Sequence, residues 1–95
     1  MTAETVSQDV LNQFKDFFNE LEFRTFVALH NYYVARGEWP TWREVADFMD
    51  EKPENIQPRI SNLRDRHAVI TAGKRPCKKS NHNRAVNTFK PVMHL

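Results

Sequence analysis

Five cations lie within eleven residues near the C-terminal end of this chain, and no acidic residue lies among them: Lys74, Arg75, Lys78, Lys79 and Arg84. Lys and Arg side chains bind phosphate oxygens, so a cluster of them favours contact with a polyanion. The whole chain is charged unevenly in the same sense. Residues 56–95 carry nine Lys or Arg against one acid, whereas residues 1–55 carry five against eleven. This asymmetry indicates a basic surface for a polyanion rather than a merely solvated face.

Other chemistries fit the sequence less well. Structural zinc sites pair their ligands at short spacing, but this chain has one cysteine, Cys77, and scattered histidines. The two glycines form no phosphate-binding loop, and no nucleophile motif is present. Glu44 and Asp47 share a helix, but paired acids on an exposed helix are usually solvated. We therefore predict a non-enzymatic protein with no catalytic residue, no metal ion and no cofactor.

The length and composition predict one small domain. Ninety-five residues with 40% hydrophobic and 12% aromatic residues are enough for a single core. One cysteine excludes an intramolecular disulfide and suits a reducing compartment. No apolar run approaches the roughly 20 residues that span a bilayer, and the first residues do not form a signal peptide. We expect a cytoplasmic, nucleoid-associated protein that does not bind membranes.

The N-terminal third reads as helical. Residues 5–18 carry an apolar stripe close to helical spacing, formed by Val6, Val10, Phe14, Phe17 and Phe18. Asn19 and Glu22 then form a capping-box pattern, which predicts a helix from Glu20 to Arg36 that ends at Gly37. A single continuous helix of about 30 residues is the alternative. The predicted buried face of the second helix consists of Leu21, Phe26, Val27, Leu29, Tyr33 and Val34.

A second capping box, Thr41 with Glu44, predicts a helix over Trp42–Met49. A small residue at Ala46 is typical of a helix that is crossed closely by another. Asp50–Glu54 reads as a turn. Proline is tolerated only in the first turn of a helix, so Pro58 predicts that the next helix starts near Asn55 and extends to Arg66. Its buried stripe is Ile56, Ile60 and Leu63.

The cations belong to a predicted β-hairpin. Val69–Thr71 and Ala85–Phe89 are strand-like, and the turn-forming residues Gly73, Pro76 and Ser80–Asn83 lie between them. The fold class that follows is α+β, mainly α. It has three to four helices and a C-terminal β-hairpin with a long basic tip.

These features together resemble the winged helix-turn-helix DNA-binding family, which includes many small phage and bacterial regulators. The residues that carry the resemblance are Thr41-x-x-Glu44-Val45-Ala46, Asn55-Ile56-x-x-Arg59-Ile60-x-x-Leu63, Val69-Ile70 and the basic hairpin. The resemblance covers residues 20–90. Residues 1–19 are left as an N-terminal amphipathic helix for packing or dimerisation, and residues 91–95 as a tail.

The resemblance implies that helix 55–66 lies in a DNA major groove and that the hairpin is a wing. The residues implied to contact bases are Gln57, Pro58, Arg59, Ser61 and Asn62. Gln57 would pair with adenine, Arg59 with guanine or a phosphate, and Pro58 would touch a thymine methyl. The five wing cations would contact phosphates or the minor groove. The function implied is sequence-specific or semi-specific binding of double-stranded DNA by a transcriptional regulator of phage or mobile-element origin.

Two alternatives stay open. Winged helices also serve as protein-interaction modules, so this chain could instead bind a host or phage protein, such as a polymerase or a repressor, without reading DNA. The aromatic stripe of the N-terminal helix also suggests a homodimer through residues 5–36, which would read a palindromic site. Otherwise that helix closes the core of a single subunit.

Overall fold

The computed structural model describes residues 18–78 and 85–92. Within them the chain is α+β and mainly helical, as predicted, with three helices and one antiparallel pair of strands. The elements are α1 (Glu20–Arg36), α2 (Trp42–Phe48), α3 (Pro53–Asp65), β1 (Val69–Pro76) and β2 (Ala85–Pro91). The predicted helix over residues 5–17, and with it the question of one helix or two, lies outside the described residues. So do the wing residues Lys79 and Arg84. No helix in the described ranges is long and apolar enough to cross a bilayer.

Both predicted capping boxes form. In α1 the Asn19 side chain accepts the Glu22 N–H at 2.8 Å, and the Glu22 carboxylate accepts the Asn19 N–H at 3.1 Å. In α2 Thr41 and Glu44 make the same reciprocal pair, at 3.3 and 3.0 Å. Gly37 ends α1 in the left-handed region with φ of 75°, where a residue without a Cβ is favoured. These local signals confirm the bounds of α1 and the start of α2.

The prediction for the start of α3 is wrong. The helix starts at Pro53 and not near Asn55, and its N-cap, Lys52, makes no side-chain capping bond. Proline suits the first helical position because its φ is already helical and no N–H is needed there. Pro58 therefore lies inside the helix, where it cannot donate to the carbonyl of Glu54. The turn after α2 is shorter than predicted, with Asp50 at φ of 58°.

The core joins all five elements. Its buried apolar members are Phe26, Ala28, Leu29, Val45, Ala46, Ile56, Ile60, Leu63, Val69 and Phe89. The stripe predicted for α3 is confirmed, and Ala46 is fully buried, as expected of a close crossing of two helices.

The predicted buried face of α1 is partly wrong. Tyr33 and Val34 are exposed, whereas Thr25 and Tyr32 are buried. The reason is that two polar residues, Glu22 and Thr25, face inward with hydrogen-bond partners, so apolar spacing alone misplaces the face. The Tyr33 ring instead stacks on Trp39, with 4.1 Å between ring centroids.

The hairpin is confirmed, and both strands are longer than predicted. β1 and β2 pair antiparallel from Val69 with Pro91 to Pro76 with Ala85, and an irregularity interrupts the register between Thr71 and Gly73. Two backbone hydrogen bonds attach β2 and the chain after it to the helical part. Phe89 N–H donates to the Pro40 carbonyl at 2.9 Å, and Val92 N–H donates to the Ala68 carbonyl at 2.8 Å.

Candidate nucleic-acid interface

A groove of about 360 Å³ lies between α3 and the hairpin. Gln57, Ser61 and Arg64 line its helical side, because residues spaced by four and three share one face of a helix. Lys74 of β1 and Asn87 of β2 line the opposite side, and these two residues are register partners. The groove is therefore bounded on one side by a face of α3 and on the other by polar residues that pair across the two strands.

The lining residues divide into three chemical types. Trp42, Ile60 and Phe89 supply apolar surface, with Ile60 and Phe89 buried. Gln57, Ser61 and Asn87 supply hydrogen-bond donors and acceptors, and Arg64 and Lys74 supply positive charge. The Arg64 guanidinium lies over the Phe89 ring, 5.7 Å from its centroid. None of the described residues that line the groove is acidic, so its chemistry suits a ligand that is both anionic and rich in hydrogen-bonding edges.

The predicted base-contacting residues separate onto different faces of α3. Gln57 and Ser61 line the groove. Asn62 instead donates to the buried Glu22 carboxylate at 3.2 Å, beside Arg66, which donates to the same carboxylate at 2.8 Å. Pro58 is exposed outside the groove lining, and the Arg59 Nε lies 3.4 Å from the Asn55 carbonyl. Asn62 thus joins α3 to α1, a contact that the sequence did not predict.

The predicted wing cations also separate. Lys74 is exposed and lines the groove, whereas its neighbour Arg75 points to the other face of β1, because strand side chains alternate. The Arg75 guanidinium donates to both oxygens of the buried Glu44 carboxylate, one at 2.7 Å, and to the Trp39 carbonyl at 2.9 Å. Its side chain is 21% exposed. These contacts tie Arg75 to α2 and to the link before it, a structural role that the sequence did not predict.

The Glu44 carboxylate accepts hydrogen bonds from residues of the hairpin at the point where the hairpin meets α2. Burial raises the pKa of its carboxyl group. Hydrogen bonds from the Arg75 guanidinium and from the Lys78 and Thr41 N–H groups lower the pKa by more, so that its net value is about 2. The hydrogen bond to Glu44 in turn raises the pKa of Arg75. Both partners stay charged at neutral pH, so the ion pair fixes the hairpin to α2.

Sequence reasoning missed Arg64 and Asn87 as groove residues. Arg64 lies seven residues after Gln57 and three after Ser61, which places all three on one face of α3. Asn87 becomes visible only through its register with Lys74. Trp42 is partly buried against the core, and the Arg43 guanidinium lies 4.5 Å from its ring centroid.

In the described residues, no three His, Cys, Asp or Glu side chains come close enough to hold a metal ion. Cys77 is buried, and its Sγ lies 3.1 Å from the Thr41 Oγ1. No protein-family model, curated protein or solved structure matches this chain.

Proposed function

We propose that this chain is a small winged-helix protein that binds double-stranded DNA as a transcriptional regulator of phage or mobile-element type. The observation that carries the proposal is the groove between α3 and the hairpin. It combines Arg64 and Lys74 with the polar side chains of Gln57, Ser61 and Asn87, and in residues 18–78 and 85–92 no acid lines it. DNA offers the matching surface, because phosphates flank base edges that donate and accept hydrogen bonds.

The order and packing of the elements support the winged-helix arrangement. α2 and α3 are joined by a short turn and share the core, in which Ala46 of α2 is fully buried, and the hairpin follows α3 directly. Such a helix pair places its second helix in the major groove, with a wing beside it. The hairpin is held to the helices by the Arg75–Glu44 ion pair, so it is positioned before any DNA arrives.

The charges on α3 indicate which side of the helix meets DNA. Glu54, Pro58 and Asp65 share a face by helical spacing, and all three are exposed. Two carboxylates on that face would repel phosphates. By the same spacing Glu54 lies beside Gln57 and Asp65 beside Ser61, but neither acid is among the described residues that line the polar groove. We therefore assign the groove side of α3 to DNA. In this assignment the Gln57 amide pairs with an adenine edge, and Arg64 and Lys74 contact phosphates.

Fluorescence anisotropy with a labelled random duplex tests DNA binding. We expect affinity to fall steeply with salt, and each of Arg64→Gln and Lys74→Gln to reduce the slope of log K against log salt by about 0.9. Arg24→Gln on α1, which removes a cation outside the groove, is the matched control. A wild-type protein without affinity for duplex DNA at low salt would overturn the proposal.

Selection from a random duplex library tests base reading. Gln57→Ala should relax preference at one base pair and cost about 1–3 kcal/mol on the selected site, with little change on random DNA. Equal losses on both kinds of DNA would assign Gln57 to phosphate contact instead.

One observation favours a second candidate function, the binding of a protein partner such as a polymerase or a repressor. A mainly apolar groove of about 290 Å³ lies between α1 and α2, away from the polar groove. Its apolar lining residues are Phe23, Val27, Ala28, Phe48 and Met49. If the low-salt measurement shows no DNA binding, this groove becomes the surface to test, with Phe48→Ser against Ile70→Ser as an equally exposed control.

A further inference from the structure

Arg64 is held at the polar groove by an aromatic ring and not by an acid. Its guanidinium carbon lies over the Phe89 ring, 5.7 Å from the ring centroid, which is within the range of a cation–π contact. Both residues line the groove, Arg64 from α3 and Phe89 from β2. The contact therefore joins the helical side of the groove to the hairpin side.

The arginines that form ion pairs elsewhere in the fold differ from Arg64 in this respect. They are Arg24 with Glu51, Arg66 with Glu22, and Arg75 with Glu44. Within residues 18–78 and 85–92, Arg64 forms no ion pair, and the helix positions three and four before it are the uncharged Ser61 and Ile60. A carboxylate neutralises a cation, whereas a ring face orients it, so Arg64 keeps its positive charge for a ligand.

The Phe89 ring is fixed in place and can therefore orient a neighbouring side chain. Phe89 is 6% exposed and belongs to the core. Its backbone N–H donates to the Pro40 carbonyl at 2.9 Å, and its register partner on β1 is Thr71. A long side chain such as arginine loses rotamer freedom when it binds a ligand. A ring that already restricts the side chain lowers this cost.

We propose that Phe89 is a positioning residue for DNA binding, because its ring holds the Arg64 guanidinium at the groove, still charged, before a phosphate arrives. The inference rests on the proposed function and deepens it by naming a residue that acts through Arg64. Because Arg64 is assigned to a phosphate, the effect of Phe89 should be the same for every DNA sequence.

The test measures the affinity of Phe89→Leu for a random duplex at low salt by fluorescence anisotropy. Leucine keeps an apolar side chain in the core but removes the ring face. We expect binding to be about two- to fivefold weaker, which is the scale of a cation–π contact at an exposed site. Circular dichroism sets a temperature at which both proteins are folded, and Phe89→Met repeats the measurement if the leucine variant does not fold.

Tyr32→Leu is the matched control, because it removes an equal contact elsewhere. The Arg36 guanidinium lies over the Tyr32 ring, also 5.7 Å from the centroid, and neither residue is among the described residues that line the polar groove. Tyr32 is 5% exposed and so is buried as deeply as Phe89. We expect Tyr32→Leu to bind DNA within twofold of the wild type. An equal loss of affinity in Tyr32→Leu and Phe89→Leu would assign the effect to lost packing and overturn the inference.

A double-mutant cycle assigns the effect to Arg64. In an Arg64→Gln background, Phe89→Leu should weaken binding less than twofold, because no guanidinium remains to be positioned. An undiminished loss in that background, or no loss when Arg64 is present, would overturn the inference. A wild-type protein that shows no DNA affinity removes the proposed function as well, whereas a wild type that binds while Phe89→Leu loses nothing removes only this inference.

Discussion

The two capping-box glutamates, Glu22 and Glu44, begin from the same motif and hold the molecule together to different degrees. Each is the third residue of its helix, is buried, and accepts the N–H of its own N-cap. Each also binds an arginine from the basic half of the chain, Arg66 or Arg75. Arg66 is 50% exposed, whereas Arg75 is mostly covered. Only the Glu44 site adds a backbone N–H from the hairpin, that of Lys78.

The difference shows that a glutamate which caps its own helix can also act as an anchor, that is, hold together elements that are distant in sequence. Glu22 ties α1 to α3, and Glu44 ties α2 to the hairpin, so together they fix the two walls of the polar groove. The ion pairs at these glutamates also explain part of the uneven distribution of charge along the chain. Arg66, Arg75 and Lys78 are paired with Glu22, Glu44 and Glu38, so some of the positive charge that suggests a polyanion neutralises acids of the same chain.

Removal of each glutamate charge should reveal the difference between Glu22 and Glu44 most directly. Glu44→Gln removes the main acceptor of the partly buried Arg75 guanidinium and should lower the free energy of unfolding by about 3 kcal/mol. Glu22→Gln should cost about 1–2 kcal/mol, because Arg66 can turn to water. Urea denaturation measures both, with the exposed Glu54→Gln as a control that should change by less than about 0.5 kcal/mol. A larger loss at Glu22 would reverse our ranking of the two anchors.

Acid should remove the Glu44 contribution gradually. The folded-state pKa of Glu44 is about 2, below its ordinary value of 4.5, so the unfolded chain takes up the proton first as pH falls. The contribution is therefore complete above about pH 5 and is lost as pH falls from there towards pH 2. Urea denaturation at a series of pH values should show a steeper loss in the wild type than in Glu44→Gln. Parallel curves would show that Glu44 does not carry this pH dependence.

The adjacent residues Lys74 and Arg75 provide a second contrast, because they lie on opposite faces of β1. Arg75→Met leaves the buried Glu44 carboxylate without its main donor and should cost about 2 kcal/mol of stability. Lys74→Met should leave stability within about 0.5 kcal/mol of the wild type but weaken DNA binding on all sequences alike. Thermal unfolding and anisotropy separate the two effects. Similar behaviour of the two variants would contradict the assignment of faces.

The smallest effect is expected at Ser61 and Asn62, the corresponding neighbours on α3. Asn62→Ala removes one hydrogen bond to the Glu22 carboxylate and should lower stability by about 1 kcal/mol, with DNA affinity unchanged. Ser61→Ala should spare stability and weaken DNA binding. Thermal unfolding and anisotropy measure these two effects. A loss of DNA affinity in Asn62→Ala would place that side chain in the DNA interface.

The sequence predicted the features that depend on neighbouring residues. Asn19 with Glu22, Thr41 with Glu44, and Gly37 set helix ends through bonds within a few residues, and these predictions are confirmed. The predicted start of α3 was wrong because Pro53 and Asn55 both suit a helix start. The prediction assumed that Pro58 must lie in the first turn of the helix, and this assumption favoured Asn55.

The candidate site was harder to predict because its partners are distant in sequence. Glu44 and Arg75 are 31 residues apart, and Glu22 and Asn62 are 40 apart. No local pattern distinguishes a glutamate that only caps a helix from one that also binds a distant arginine. Strand register was equally hidden, so five neighbouring cations looked equivalent although Lys74 and Arg75 lie on opposite sides of the same strand.

The covered thiol of Cys77 makes the attachment of the hairpin observable by chemistry. A thiol-reactive reagent reaches Sγ only when the segment after β1 lifts away from Thr41, so the labelling rate counts those openings. If DNA holds the wing in place, saturation with duplex should slow the labelling. The labelling rate of Cys77 therefore reports the rate of local opening, and no engineered probe is needed.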